Sequence, residues 1–437
     1  MNRKMMTELN AWRLTPNRKP LILRGARQVG KTWLLKTFGN TYFKHVAYFS
    51  FDRDDKPQIA FINKDPKRIV EQLSLLSGTP IIEGETLLII DEIQECPNAL
   101  NALKYFCEEM PQLHVVAAGS LLGTFLTKPA AYPVGKVTIK EIVPMDFEEF
   151  IAALDPDLTT IYTSEISTLI ENLPLFHQRL LDLYHHYLLI GGMPEAVKCW
   201  CATKSLKEVQ EIQDNLITFY EGDFGKYLDG LHAARVLMVF RNLVPQLAKE
   251  NEKFIYSAVK AGGRAREFEV AIEWAISAGL FMRVFNLSKP ECPHQAFEKL
   301  NCFKLFFFDT GLLCRMARVS VAQIITTEDF QFKGPLTENY ILQQLSPCAE
   351  APLHYYSISE RHELDFMLQH KGHPIPVEVK GGNNVSARSL KNYIEKHAPK
   401  IALRFSEKGF EIRNPLISLP LYLAPRLNEV LDYLEGK

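Results

Sequence analysis

The sequence predicts an α/β fold whose N-terminal part is a parallel sheet covered by helices. Three observations predict it. Short apolar runs at 20–24, 45–51, 86–91, 113–118 and 136–142 alternate with helical stretches, the pattern of repeated β-α-β units. The run Thr86–Asp91 is apolar almost throughout, as a strand buried on both faces must be. After a long helical middle, residues 330–437 return to mixed α and β.

Taken in order, residues 1–13 form a short helix expected to pack on the first strand. That strand runs into Gly25-Ala-Arg-Gln-Val-Gly-Lys-Thr32, the spacing G-x-x-x-x-G-K-T. Gly25 and Gly30 let the backbone turn tightly and approach phosphate. Arg27, Gln28, Val29 and Gly30, with Lys31 and Thr32, form the expected phosphate-binding set at the positive end of the next helix. Lys31 is placed to reach the β- and γ-phosphates, and the Thr32 hydroxyl to complete a Mg²⁺ shell. ATP and Mg²⁺ are therefore the expected cofactors. The competing reading, a chance Gly-rich turn, fits less well with a strand before it and the helical stretch Trp33–Phe38 after it.

The strand Thr86–Asp91 ends in Asp91-Glu92. Adjacent strand residues point to opposite sides, so the two carboxylates can divide the work. Asp91 would hold Mg²⁺ through water, and Glu92 would polarise the attacking water. Alone, the pair could also be a helix cap after a strand. A third strand, His114 onward, ends at Ser120, which can contact the γ-phosphate or the lytic water, or serve as a turn residue. Asp146 with Glu149 reads as a capping box at the start of a helix.

The chain has 437 residues, enough for two to four domains. Lys+Arg total 50 against Asp+Glu 51, so any nucleic-acid surface must be local. None of the 8 cysteines forms a C-x-x-C pair, Cys199 and Cys201 being the closest. This argues against a metal cluster or disulfide framework and for a reducing, cytoplasmic setting. The N-terminus lacks the apolar core of a signal peptide, and no apolar run approaches the ~20 residues of a membrane span.

Residues 146–230 carry helical periodicity, broken by Gly191-Gly192-Met-Pro194, and read as a helical lid on the nucleotide domain. His185 and His186 read as surface or packing histidines rather than ligands. Residues 231–318 give helix, turn, helix and hairpin, with strands at 280–285 and 304–308. That is a winged-helix pattern, suited to a DNA groove or to packing between domains. Lys253, Lys260, Arg264 and Arg266 are its local positive charge.

The C-terminal segment holds a carboxylate constellation. Glu338 lies on an expected helix over Leu336–Leu345. Asp365 lies in an alternating strand, Glu363–Leu368. Glu378 and Lys380, two apart in Pro376–Lys380, share one face. A hairpin of these strands would bring Asp365, Glu378 and Lys380 together, with Glu338 at the edge. Glu338, Asp365 and Glu378 would hold Mg²⁺ or Mn²⁺, and Lys380 would stabilise or deprotonate the attacking water. The alternative is an edge strand with a charged outer face.

GARQVGKT, LLIIDEIQE, GGMPEAV, FKLFFFDTGLL, GPLTENYI, ELDF and VEVKGG occur in this order. The set resembles a family of prokaryotic AAA+-type ATPases followed by a DUF4143 region. The resemblance implies a P-loop AAA+-like domain (1–150), a helical lid or linker (151–230), a winged-helix-like domain (231–325) and a PD-(D/E)XK nuclease-like domain (326–437). The nuclease-like pattern carries over to Glu338, Asp365, Glu378 and Lys380. Family members often carry Gly-Arg where this chain has Gly135-Lys136. Lysine lacks the planar fork of arginine; an ATP-promoted homo-oligomer is expected, with Lys136 or a nearby arginine as the contact to a neighbouring subunit. Two functions remain open at this level. One is an ATP-driven, DNA-associated enzyme with a metal-dependent nuclease site. The other is a nucleotide switch whose C-terminal domain only binds DNA or a protein partner.

Overall fold

A computed structural model describes residues 3–52, 56–120, 133, 135–249, 253–325, 330–359, 362–381 and 388–436. The chain divides into two compact units, one of residues 1–143 with 277–280, the other of residues 144–276 with 281–437.

The first unit is built on five strands. They are β1 (Leu21–Arg24), β2 (His45–Ser50), β3 (Thr86–Asp91), β4 (His114–Gly119) and β5 (Thr138–Glu141). All pair in parallel, in the order β2-β3-β4-β1-β5. These match the five expected runs within two residues at each end. Ile22, Leu88, Ile90, Val115 and Ala117 share a core with Ile69, Leu73, Leu103 and Phe106 of the helices Pro66–Ser77 and Pro97–Glu109. Apolar residues on alternate strand positions face helices that bury their own apolar stripes, which is the reason the layers stack. Because β4 lies between β1 and β3, the loops after all three strands emerge side by side at one end of the sheet.

The second unit opens with helices only, among them Phe147–Leu154, Ile166–Ile190, Pro194–Thr203 and Leu206–Tyr227. Asp146 and Glu149 do form a capping box. The long helix stops at Gly191, whose φ of 76° only glycine adopts without strain. These helices make contacts within the second unit. Tyr162 donates to the Tyr422 carbonyl (2.6 Å), and Gln343 and Gln344 of the helix Lys333–Leu345 donate to the Tyr187 hydroxyl (2.9 and 3.1 Å).

The eight-stranded sheet of this unit comprises β6 (Phe281–Leu287), β7 (Glu298–Phe307), β8 (His354–Ser359), β9 (His362–His370), β10 (His373–Val379), β11 (Ala402–Ser406), β12 (Glu411–Arg413) and β13 (Leu416–Pro420). The order is β12-β13-β11-β10-β9-β8-β6-β7. The expected hairpin, β6 with β7, is present. It does not close a wing on its own. β6 also pairs in parallel with β8 at Phe285↔His354 and Asn286↔Tyr355, so the hairpin forms one edge of the C-terminal sheet. No helix among the described residues is long and apolar enough to cross a membrane.

Candidate functional site

The phosphate loop lies between β1 and the helix Lys31–Tyr42. A Cβ on Gly25 would sit 2.1 Å from the Ile142 carbonyl oxygen, so only glycine fits there. Gln28 and Gly30 have φ of 62° and 95°, which curls the loop around its own N–H groups. Lys31 is 6% exposed and donates to the carbonyls of Gly25 (2.9 Å) and Ala26 (2.7 Å). Burial pulls its pKa down to about 8 against the opposing pull of Glu92 and Asp91.

Thr32 donates to Asp91 Oδ2 at 2.6 Å, and Tyr48 of β2 donates to the same oxygen at 2.9 Å. A hydroxyl beside a carboxylate at the mouth of a phosphate loop is the donor set of a Mg²⁺–nucleotide complex. The residues present therefore fit ATP with Mg²⁺. Glu92 lies just past the end of β3 with φ of 52°, unusual for a side chain of its size, so strand alternation does not set its side chain as the sequence suggested. Glu92 Oε2 accepts from Gln94 and from Ser120 (3.5 Å), and Arg27 Nε donates to Ser120 Oγ (3.4 Å). The loop, the end of β3 and the end of β4 are thus joined by one polar chain. Tyr48 and Gln94 carry no sequence signal, since each lies outside any recognisable spacing. Lys136 is partly exposed and pairs with Glu108 of its own chain at 2.9 Å.

In the second unit, β9 and β10 pair antiparallel with Val377 opposite Phe366. The next step of that register sets Glu378 opposite Asp365, and opposed residues share a face. Asp365 Oδ2 accepts from the Val379 N–H at 2.6 Å, and Lys380, just past the end of β10, pairs with Glu378 Oε1 at 2.6 Å. Burial, reinforced by Glu378, pushes Asp365 up to about 8. Burial also raises Glu378, with Lys380 and Lys304 opposing it. Burial alone would lower Lys380, but Asp365 and Glu378 outweigh it and the net direction is up. The charge of Glu338, on the helix Lys333–Leu345, also reaches Lys380. These are the signatures of carboxylates held close in a poorly solvated pocket.

Lys304 of β7 also enters this pocket. Its Nζ lies 2.7 Å from Glu363 Oε1 and 3.9 Å from Glu338 Oε2. Neither Lys304 nor Glu363 was legible as a site residue, because Lys304 opens an apolar strand that reads as core. Glu378 Oε2 is buried without a hydrogen-bond partner, so one oxygen of the set is open to a cation. Glu338, Asp365 and Glu378 nonetheless do not form a group whose ligand atoms all lie within 4.8 Å. Among the described residues His370, Asp432 and Glu435 do so, where Lys371 bridges Asp432 (2.8 Å) and Glu435 (2.6 Å) and supplies the counter-charge itself.

Fold and site together define a P-loop α/β domain of the AAA type. Residues 17–151 match the family described as an AAA domain. The particular arrangement joins that domain to a match over 181–323 with a domain of unknown function, DUF8612, and over 333–422 with another, DUF4143. The AAA and DUF4143 matches fall, in that order, on the two regions whose motifs carry the resemblance. No curated protein matches it by sequence. Among solved structures, a Walker-type ATPase of Pyrococcus abyssi is similar at 14% identity and TM-score 0.44, over 72% of this chain and 95% of that one. AMPPCP-bound DnaA from Aquifex aeolicus is similar at 14% identity and TM-score 0.28, over 62% and 84%. The Aeropyrum pernix ORC1 protein in complex with DNA is similar at 12% identity and TM-score 0.24, over 72% and 91%.

Proposed function

We propose that the protein binds and hydrolyses ATP at its phosphate loop and acts on DNA through a metal-dependent pocket in its C-terminal region. The observation that carries the first part is the Thr32–Asp91 contact of 2.6 Å beside Lys31. Lys31 holds the β- and γ-phosphates, exchanging the loop carbonyls it contacts for phosphate oxygens. Thr32 and Asp91 would hold Mg²⁺, which would supply positive charge to offset that of the phosphates. Glu92 orients and polarises the attacking water, and Ser120 keeps the Glu92 carboxylate in place. Lys31→Ala is expected to abolish nucleotide binding, measured by titration with a fluorescent ATP analogue. Glu92→Gln is expected to spare binding and slow turnover by about 10²-fold or more. Unchanged affinity and turnover in Lys31→Ala would sink the assignment.

The second part rests on the register that sets Asp365 opposite Glu378 beside Lys380. Asp365, Glu378 and Glu338 would hold the cation, and Lys380 would stabilise or deprotonate the attacking water. Exposed Lys260, Arg264 and Arg266, around the start of the helix Ala265–Ser277, offer local positive charge for a phosphate backbone. Plasmid cleavage with Mg²⁺ or Mn²⁺, lost in Asp365→Ala and Lys380→Ala, is the expected result. DNA retention without cleavage would instead favour a switch that only binds. The two internal ammonium groups speak for that second reading, since they let the pocket stay folded without metal.

A further inference from the structure

We propose that Lys304 is a built-in counter-ion that restricts the C-terminal pocket to a single divalent cation. The inference rests on the metal-dependent reading of that pocket and assigns a role to a residue outside its motifs. Lys304 is 3% exposed. Besides its contacts to Glu363 (2.7 Å) and Glu338 (3.9 Å), its Nζ lies 5.2 Å from the centre of the Tyr355 ring. Its charge is also felt by Asp365 and Glu378. An ammonium taken this far out of water is stable only if nearby carboxylates offset its lost hydration, so Lys304 belongs to the charge balance of the whole pocket.

That balance can be counted. Glu338, Glu363, Asp365 and Glu378 face Lys304 and Lys380. With every carboxylate ionised, two negative charges remain, which one divalent cation neutralises. A second cation, about 4 Å from the first in two-metal sites, would need Glu363, the carboxylate that Lys304 holds at 2.7 Å. Glu378 supplies an independent sign that a ligand is wanted. It is 4% exposed, and its Oε2 has no hydrogen-bond partner. A buried carboxylate oxygen left bare is costly.

The test is Mn²⁺ binding by the nucleotide-free full chain, with free ion counted by electron paramagnetic resonance. Binding that Glu378→Gln removes is assigned to the pocket. The wild type is expected to hold one such ion. Lys304→Met should bind Mn²⁺ roughly tenfold or more tightly, or take a second ion, whereas Lys304→Arg should behave as wild type. The double variant Lys304→Met/Glu363→Gln restores the charge balance and should return to one ion at near wild-type affinity. A purely structural role would not predict that rescue. Two pocket ions in the wild type, or no change in Lys304→Met, overturns the counter-ion role while leaving the metal-dependent reading intact. Absence of any Glu378-dependent ion overturns that reading and the inference with it.

Discussion

Lys31 keeps its ammonium in surroundings that disfavour charge, and this gives nucleotide binding a pH signature. Its pKa of about 8 means that the free protein loses the charge as pH rises past that value. Phosphate oxygens favour the charged form and raise the pKa in the complex. Binding above pH 8 must therefore take up a proton. ATP affinity is expected to hold between pH 6.5 and 7.5 and to fall by up to about tenfold per pH unit above 8. Isothermal titration in two buffers of different ionisation heat would read the proton uptake directly. The residues that bring this about were legible because a phosphate loop is local: six positions separate Gly25 from Lys31. Lys304 was not legible, because its partners Glu338 and Glu363 lie 34 and 59 residues away and only the fold joins them.

At the scale of elements, one joint deserves measurement. The end of the helix Ile166–Ile190 meets the end of β7 through Asp309. Asp309 Oδ2 accepts from the Gly192 N–H (2.7 Å) and Oδ1 from the Leu312 N–H (2.9 Å). A Cβ on Gly192 would lie 2.1 Å from the Met145 carbonyl oxygen, and one on Gly311 would lie 2.3 Å from the Gly191 nitrogen. Gly192→Ala should therefore cost about 3 kcal/mol, since backbone must move. Burial raises Asp309 to about 6, although those N–H donors favour its ionised form. Between pH 4 and 6 the folded protein then holds a proton that the unfolded chain has released. The stability from this group is full below pH 4 and is lost as pH rises through 6, about 3 kcal/mol in all. Urea unfolding at pH 4.5 and 7.0 checks this, because Asp309→Asn should remove that part of the difference while lowering stability at both pH values. Gly191-Gly192 announced a helix break in the sequence. Its partner did not, since Asp309 reads equally well as a helix cap.

At the scale of the molecule, the β6–β8 pairing ties the middle of the chain to its C-terminal region. Asn286 Nδ2 adds a 2.7 Å bond to Ser357 Oγ across the same junction. A fragment of residues 326–437 would lose β6, β7 and Lys304, leaving β8 as an uncovered edge. It is expected to aggregate or stay unfolded, whereas residues 144–437 should give a cooperative transition by circular dichroism. A well-folded monomeric 326–437 fragment would refute this. The alternation of strand and helix made the first sheet readable run by run. The second was only partly readable, because antiparallel hairpins announce themselves by proximity but a parallel pairing between residues 285 and 354 leaves no local trace.

The place of β1 between β4 and β5 also sets a schedule for synthesis. Leu21 finds its two neighbours at Val116 and Thr138, about 95 and 117 positions later. At roughly 5–20 residues per second, an emerging chain displays this apolar strand unpaired for about 5–20 s before β4 arrives. Nascent chains of this protein should consequently engage holding factors early and acquire protease resistance only once β4 and β5 have left the ribosome.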